Sequence, residues 1–175
     1  MVINNVNLDK LRQKIEAVKA NPDAAKMTNR IEGAWSIDPN EPQFSASVGF
    51  EGGKLTLESE HPTALGGKGT RPGAMTYCLF GFAACYATTY AICAAAEGVE
   101  LDSLRVTAES DMDLTTSLGL GEKPIVQGVR INLQVKSKAD DSALKRVERL
   151  AMERCPAIYC ITNRIPLSTS WQREQ

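Results

Sequence analysis

Two cysteines stand in surroundings that set them apart from the rest of this chain. Cys85 follows Ala83-Ala84 in the middle of a long charge-free stretch, and Cys155 lies between Arg154 and Pro156. Together they point to a buried two-thiol redox site. The chain holds five cysteines, an odd number without CxxC spacing, which argues against a disulfide scaffold and against a zinc ribbon. Cys155 and Cys160 are five positions apart, the wrong spacing for a zinc knuckle, so no metal is expected. His61, the only histidine, sits in the turn-like Glu60-His61-Pro62. A cysteine hydrolase would have to use it as its base, and a solvated loop histidine is the plainer reading.

The elements that must position these thiols follow from periodicity and turn residues. Asn7 caps a helix whose apolar residues Leu8, Leu11, Ile15 and Val18 recur at helical spacing, with Pro22 beyond its end. Three strands are expected over Met27–Trp35, Gln43–Phe50 and Lys54–Ser59, the last two joined through Glu51-Gly52-Gly53. The glycine-rich run Leu65 to Pro72 lacks a phosphate-loop pattern, and its glycines are read as allowing a sharp turn or close backbone approach.

From Gly73 to Ala96 no residue is charged. That is long enough for a membrane span, but its threonines and tyrosines and the flanking strands favour a fully buried central helix. A domain this small can scarcely cover such a helix alone, so an obligate dimer is expected. On this helix Cys78, Phe82, Cys85, Thr89 and Cys93 share one face; Cys78 and Cys93 read as small buried hydrophobes. Gly98 caps its end. Strands follow over Leu104–Glu109 and Ile125–Lys136, then a helix from Asp140 to about Cys155-Pro156, then a last strand over Ile165–Ser170. Helix, three strands, helix, two strands, helix, strand is an α+β order, not a parallel repeat.

Bulk properties exclude some partners. Twenty basic residues against 21 acidic ones give a net charge of −1, and no basic cluster tracks a phosphate backbone, so nucleic acid is not expected. The N-terminal residues lack a signal-peptide pattern, which makes the cytoplasm the expected address and a membrane an unexpected partner. In that reducing compartment cysteines are more often catalytic, redox-active or buried than structural disulfides.

The run Leu79 to Thr89, followed by Ala94 to Leu101, resembles the signature helix of the OsmC/Ohr family of peroxide-reducing proteins. Ala64-Leu65-Gly66-Gly67 and Cys155-Pro156 fall where that family has its Gly-Gly turn and second cysteine. The resemblance runs from about Arg30 to Trp171, and divides the chain into an N-terminal helical extension, residues 1–25, and an OsmC-like domain, residues 26–175. It implies an intertwined homodimer and a thiol peroxidase needing no cofactor. In it Cys85 attacks a small-molecule peroxide, Cys155 resolves the sulfenic acid, and an external dithiol reduces the disulfide.

A buried thiol is a poor thiolate, so a cation must favour ionisation. The family uses an arginine held by a glutamate; Arg30 and Arg71 are the candidates. The glutamate is missing at the family position, where Met75 and Thr76 stand, and no acidic residue occurs between His61 and Glu97. The alternative reading is a non-catalytic OsmC-like dimer that binds a small apolar or sulfur-containing ligand in its cleft.

Overall fold

A computed structural model describes residues 1–173. It is α+β with antiparallel sheets, and its contacts form two compact units: Met1 with Asn7–Gly81, and Val2–Val6 with the residues from Phe82 onward. The chain begins with a two-residue ladder, β1 (Val2–Ile3) against β2 (Val6–Asn7), turned by Asn4 and Asn5 at φ of 53° and 62°. Asparagine tolerates this left-handed region better than most residues.

In the first unit Asn7 caps α1 (Leu8–Ala20) as expected, its side-chain oxygen accepting from the N–H groups of Asp9 and Lys10 at 3.1 Å. A three-stranded sheet follows in the order β3 (Glu32–Trp35), β4 (Phe44–Phe50), β5 (Gly53–Ser59). The first strand is shorter than the pattern predicts because only its last four residues find partners, Glu32 opposite Ser47 through Trp35 opposite Phe44. After β5 the chain folds back through Gly66-Gly67. A Cβ on Gly67 would lie 1.9 Å from the His61 carbonyl oxygen, so glycine is required here by close backbone approach.

The second unit packs the C-terminal part of α2 (Ala74–Ala96) with a long hairpin, β6 (Leu101–Met112) and β7 (Val126–Ser137), and two helices, α3 (Asp141–Arg154) and α4 (Pro156–Thr162). The hairpin register sets Leu104 against Val135, Val106 against Leu133 and Ala108 against Ile131, so the alternating apolar residues share one face. The core beneath it holds Tyr86, Tyr90, Cys93, Ala94, Val99, Val147, Ala151 and Cys155. Gly98, at φ 70°, ends α2 as expected, and the Val99 N–H donates back to the Ala94 carbonyl at 2.8 Å. Asn4 ties the N-terminal ladder to this unit: its amide donates to the Val99 carbonyl and its oxygen accepts from the Leu101 N–H, both at 2.8 Å.

Within one chain α2 is not buried all round: Phe80 is 70% exposed, Cys78 is exposed, and its fully buried residues are Tyr86, Tyr90, Cys93, Ala94 and Ala95. One chain has too little other surface to enclose a helix of this length, and its full burial is expected only with a second subunit. Two other expectations need correction. The segment Ile165–Ser170 is no strand, because it finds no ladder partner, and its Leu167 is 88% exposed. The helix ending near Cys155-Pro156 is followed directly by a second, α4, because proline at a first helical position starts a helix as readily as it stops one.

The two glycines Gly67 and Gly49 give a test of the turn. Gly67→Ala is expected to destabilise the protein by about 2 kcal/mol or more through backbone displacement. Gly49→Ala, whose added Cβ meets nothing within 4 Å, stays within about 1 kcal/mol of the parent in urea unfolding.

Candidate functional site

The sulfurs of Cys85 and Cys155 lie 3.6 Å apart in the second unit, both as free thiols. Cys85 comes from the middle of α2 and Cys155 from the kink between α3 and α4. That kink is tightly held: Cys155 ends α3 by donating its N–H to the Ala151 carbonyl, and begins α4 by accepting from the Tyr159 N–H, each at 3.0 Å. Its extended backbone, ψ 118°, is the conformation a following proline favours. Cys155 is 2% exposed, while Cys85 is half-buried.

Burial pushes the Cys85 thiol up, the Ala157 N–H pulls it back, and Cys155 and Cys160 push it up again, leaving it above the ordinary 9.0. Two of these contributors, Ala157 and Cys160, belong to α4, which residue spacing does not separate from α3; Pro156 at its first position is the signal for it. Farther along α2, burial pushes Cys93 up as well, with the Arg154 guanidinium pulling the other way. Cys93 is buried as expected; Cys78 is not.

In the same unit a groove of about 640 Å³ opens between β7, α3 and α4, lined by Tyr86, Tyr90, Ile131, Leu133, Ile158 and Ile161 among others but by neither Cys85 nor Cys155. It is mainly apolar, with Lys145 and Glu148 at its wall. Burial, and then Glu148, push the Tyr86 hydroxyl up to about 12, so it remains a neutral hydrogen-bond donor near neutral pH.

The other residues singled out from the sequence belong to the first unit. Arg30 is exposed and pairs with Glu32 on its own strand segment. Arg71 is held more firmly: its Nε donates to Glu58 at the end of β5, and its Nη1 donates to the Thr70 carbonyl at 3.0 Å. The carboxylate for this arginine comes from the preceding strand and not from the start of the cysteine helix. Two residues on, Glu60 is 3% exposed. Burial pushes its carboxyl up, and the Thr70 N–H and hydroxyl with the Lys68 ammonium outweigh that, leaving it below its ordinary value. His61 is exposed, with its backbone N–H donating to Gln43 at 2.8 Å. Among the described residues no cluster of three or more metal-binding side chains forms.

A family model described as OsmC-like protein matches residues 66–170. Similar solved structures include an OsmC-like protein from Mycoplasma pneumoniae, 17% identical over 77% of this chain and 89% of that one, with a TM-score of 0.55. The organic hydroperoxide resistance protein OsmC from Legionella pneumophila is 18% identical over 78% of this chain and 92% of that one, TM-score 0.58. A provisionally assigned organic hydroperoxide resistance protein from Vibrio cholerae, with captopril in one of its active sites, is 18% identical over 79% and 88%, TM-score 0.53. At these identities the likeness is one of fold. No curated protein matches the sequence.

The raised Cys85 thiol has a measurable consequence. Its alkylation by iodoacetamide, read by peptide mass spectrometry, is expected to keep climbing as pH rises through 9.0, since the thiolate accumulates only above that range. A plateau below pH 8 would contradict this account of its surroundings.

Proposed function

The chain belongs to the OsmC-like protein family, and from that membership we propose that it is a thiol-dependent peroxidase acting on organic hydroperoxides or hydrogen peroxide. The observation that carries the reading is the 3.6 Å approach of Cys85 and Cys155. The Cys85 thiolate attacks the distal peroxide oxygen, the O–O bond breaks, and the alcohol or water leaves with a proton. The resulting Cys85 sulfenic acid condenses with Cys155, releasing water and forming a disulfide. An external dithiol then restores both thiols. The mainly apolar groove of the same unit, which Tyr86 next to Cys85 in the chain helps to line, suits the hydrocarbon part of an organic hydroperoxide.

A thiol that burial keeps protonated needs a cation, and Arg71 is the better supported of the two candidates. Its pairing with Glu58 and Thr70 holds the guanidinium in one orientation, whereas Arg30 has a single, largely exposed partner two residues away. We propose Arg71 as the residue that stabilises the negative charge developing on sulfur and on the leaving oxygen as the peroxide reacts, while the resting thiol stays protonated. Homodimerisation is part of the same proposal. Phe80, Leu167 and Trp171 are 70%, 88% and 88% exposed in one chain, and a second copy would remove such large apolar residues from water.

The groove also favours a second reading, a non-catalytic dimer that holds a small apolar or sulfur-containing ligand there. The two readings separate cleanly. Under the first, cumene hydroperoxide removes two hydrogens from the wild-type mass and links the Cys85 and Cys155 peptides, and Cys85→Ser abolishes peroxide consumption with an unchanged circular dichroism spectrum. Turnover by Cys85→Ser, or no mass loss in the wild type, would refute the peroxidase. Arg71→Met is expected to slow the first oxidation step by about 100-fold in stopped-flow, and Arg30→Met by less than about threefold.

A further inference from the structure

Arg71 sits in a stretch that cannot hold itself in place. From Gly66 to Gly73 four of the eight residues are glycine, which gives the backbone more freedom than any other residue. The stretch is nonetheless stitched to the end of β5. The Gly69 N–H donates to the His61 carbonyl and the Glu60 N–H to the Pro72 carbonyl, each at 3.3 Å. One side chain adds to this from inside: Glu60, 3% exposed, is the one charged residue buried among those described. Its Oε2 accepts from both the N–H and the hydroxyl of Thr70, at 3.1 and 3.0 Å. Its Oε1 faces the Lys68 ammonium at 3.2 Å, and that ammonium also donates to the Pro39 and Glu41 carbonyls, at 3.0 and 2.7 Å.

Burying a carboxylate is costly unless it is paired and hydrogen-bonded, and the side-chain partners of Glu60 both lie just before Arg71. Thr70 is the partner that matters, because its carbonyl is the second acceptor of the Arg71 guanidinium. It takes Nη1 at 3.0 Å while Glu58 takes Nε. Two bonds to Thr70, one to its N–H and one to its side chain, leave only the rotation ψ between its Cα and that carbonyl. Arg71 itself precedes Pro72, which confines it to extended backbone. Glu58 and Glu60, two positions apart, thus grip successive residues, one by its guanidinium and the other by its backbone. The Lys68 charge offsets that of Glu60, so the buried carboxylate holds Thr70 without drawing the guanidinium off Glu58.

We propose that Glu60 is a positioning residue for Arg71: through Thr70 it fixes the carbonyl that orients the guanidinium, and so keeps Arg71 in the geometry that serves peroxide reduction. The last clause rests on the role given to Arg71 in the proposed function. The positioning itself does not.

Two readouts separate these parts. The first is NMR relaxation of the Arg71 Nε–Hε group, its signal assigned by its loss in Arg71→Met. The order parameter is expected to fall below about 0.6 in Glu60→Ala and to keep its wild-type value in Glu60→Gln, whose amide oxygen still accepts from Thr70. An unchanged order parameter in Glu60→Ala would overturn the positioning role. If the alanine variant does not fold, Thr70→Val takes its place: Thr70 is exposed, the variant loses only the hydroxyl bond to Glu60, and a wild-type order parameter there overturns the proposal equally. The second readout is the first oxidation step with cumene hydroperoxide in stopped-flow. Glu60→Ala is expected to slow it about tenfold in the wild-type background and less than about twofold in Arg71→Met, where nothing is left to position. Equal slowing in both backgrounds would show Glu60 acting through the fold at large and would sink the proposal. Arg71→Met that is oxidised at the wild-type rate refutes instead the part given to Arg71 in the peroxidase, while the order parameter still decides whether Glu60 positions it.

Discussion

The second unit depends on one buried cluster to which α2, α3 and the hairpin all contribute. Ala94 on one helix and Val147 and Ala151 on another have no exposed surface at all, so the cluster has no slack. Cys85 and Cys155 pack in the same cluster, with their sulfurs 3.6 Å apart. A single methylene inserted among these side chains would have to displace its neighbours, and the sulfurs with them. The thiol pair is thus positioned by packing, with the Cys155-to-Cys85 hydrogen bond and the Ala157 N–H as its own polar contacts.

The kink at Cys155 is the second constraint. One residue closes a helix and opens the next, and both of its backbone groups are satisfied in doing so. The following proline has no N–H to lose and favours an extended conformation just before it. Cys155 is therefore held where neither helix can carry it away, and its side chain is directed by the backbone instead of by neighbours it would need to grip. A resolving thiol benefits from this, since ordering a flexible segment at each turnover would slow disulfide closure.

Much of this was legible from residue order. The caps at Asn7 and Gly98, the strand pair with its alternating Val129 to Val135 face, and the α+β order all follow from local rules that tertiary packing did not override. The two cysteines could be singled out, but their meeting could not be read from periodicity; it entered through resemblance. What stayed hidden was set by non-local partners. Glu58 reaches Arg71 across a turn of thirteen positions, and nothing in the intervening sequence announces it. Helix α4 was missed because Pro156 serves two helices at once. The segment Ile165–Ser170 has the alternation of a strand, yet a strand exists only where another edge accepts its hydrogen bonds.

The electrostatics of Cys85 place a definite demand on the rest of the protein. One backbone N–H does not offset burial together with two neighbouring thiols, so the Cys85 thiol is held above its ordinary value. A neutral thiol is a slow nucleophile, and also a protected one, since oxidation follows thiolate character and access. Peroxidase chemistry then requires a positive charge from outside the local cluster, delivered by a side chain whose orientation is already settled, because a mobile cation would lose in ordering what it supplied in attraction. Arg71 meets the second condition through Glu58 and Thr70, and Arg30 does not. In the proposed reading, Glu58 at the end of β5 takes the task that the family gives to a carboxylate at the start of the cysteine helix, fixing a guanidinium without discharging it.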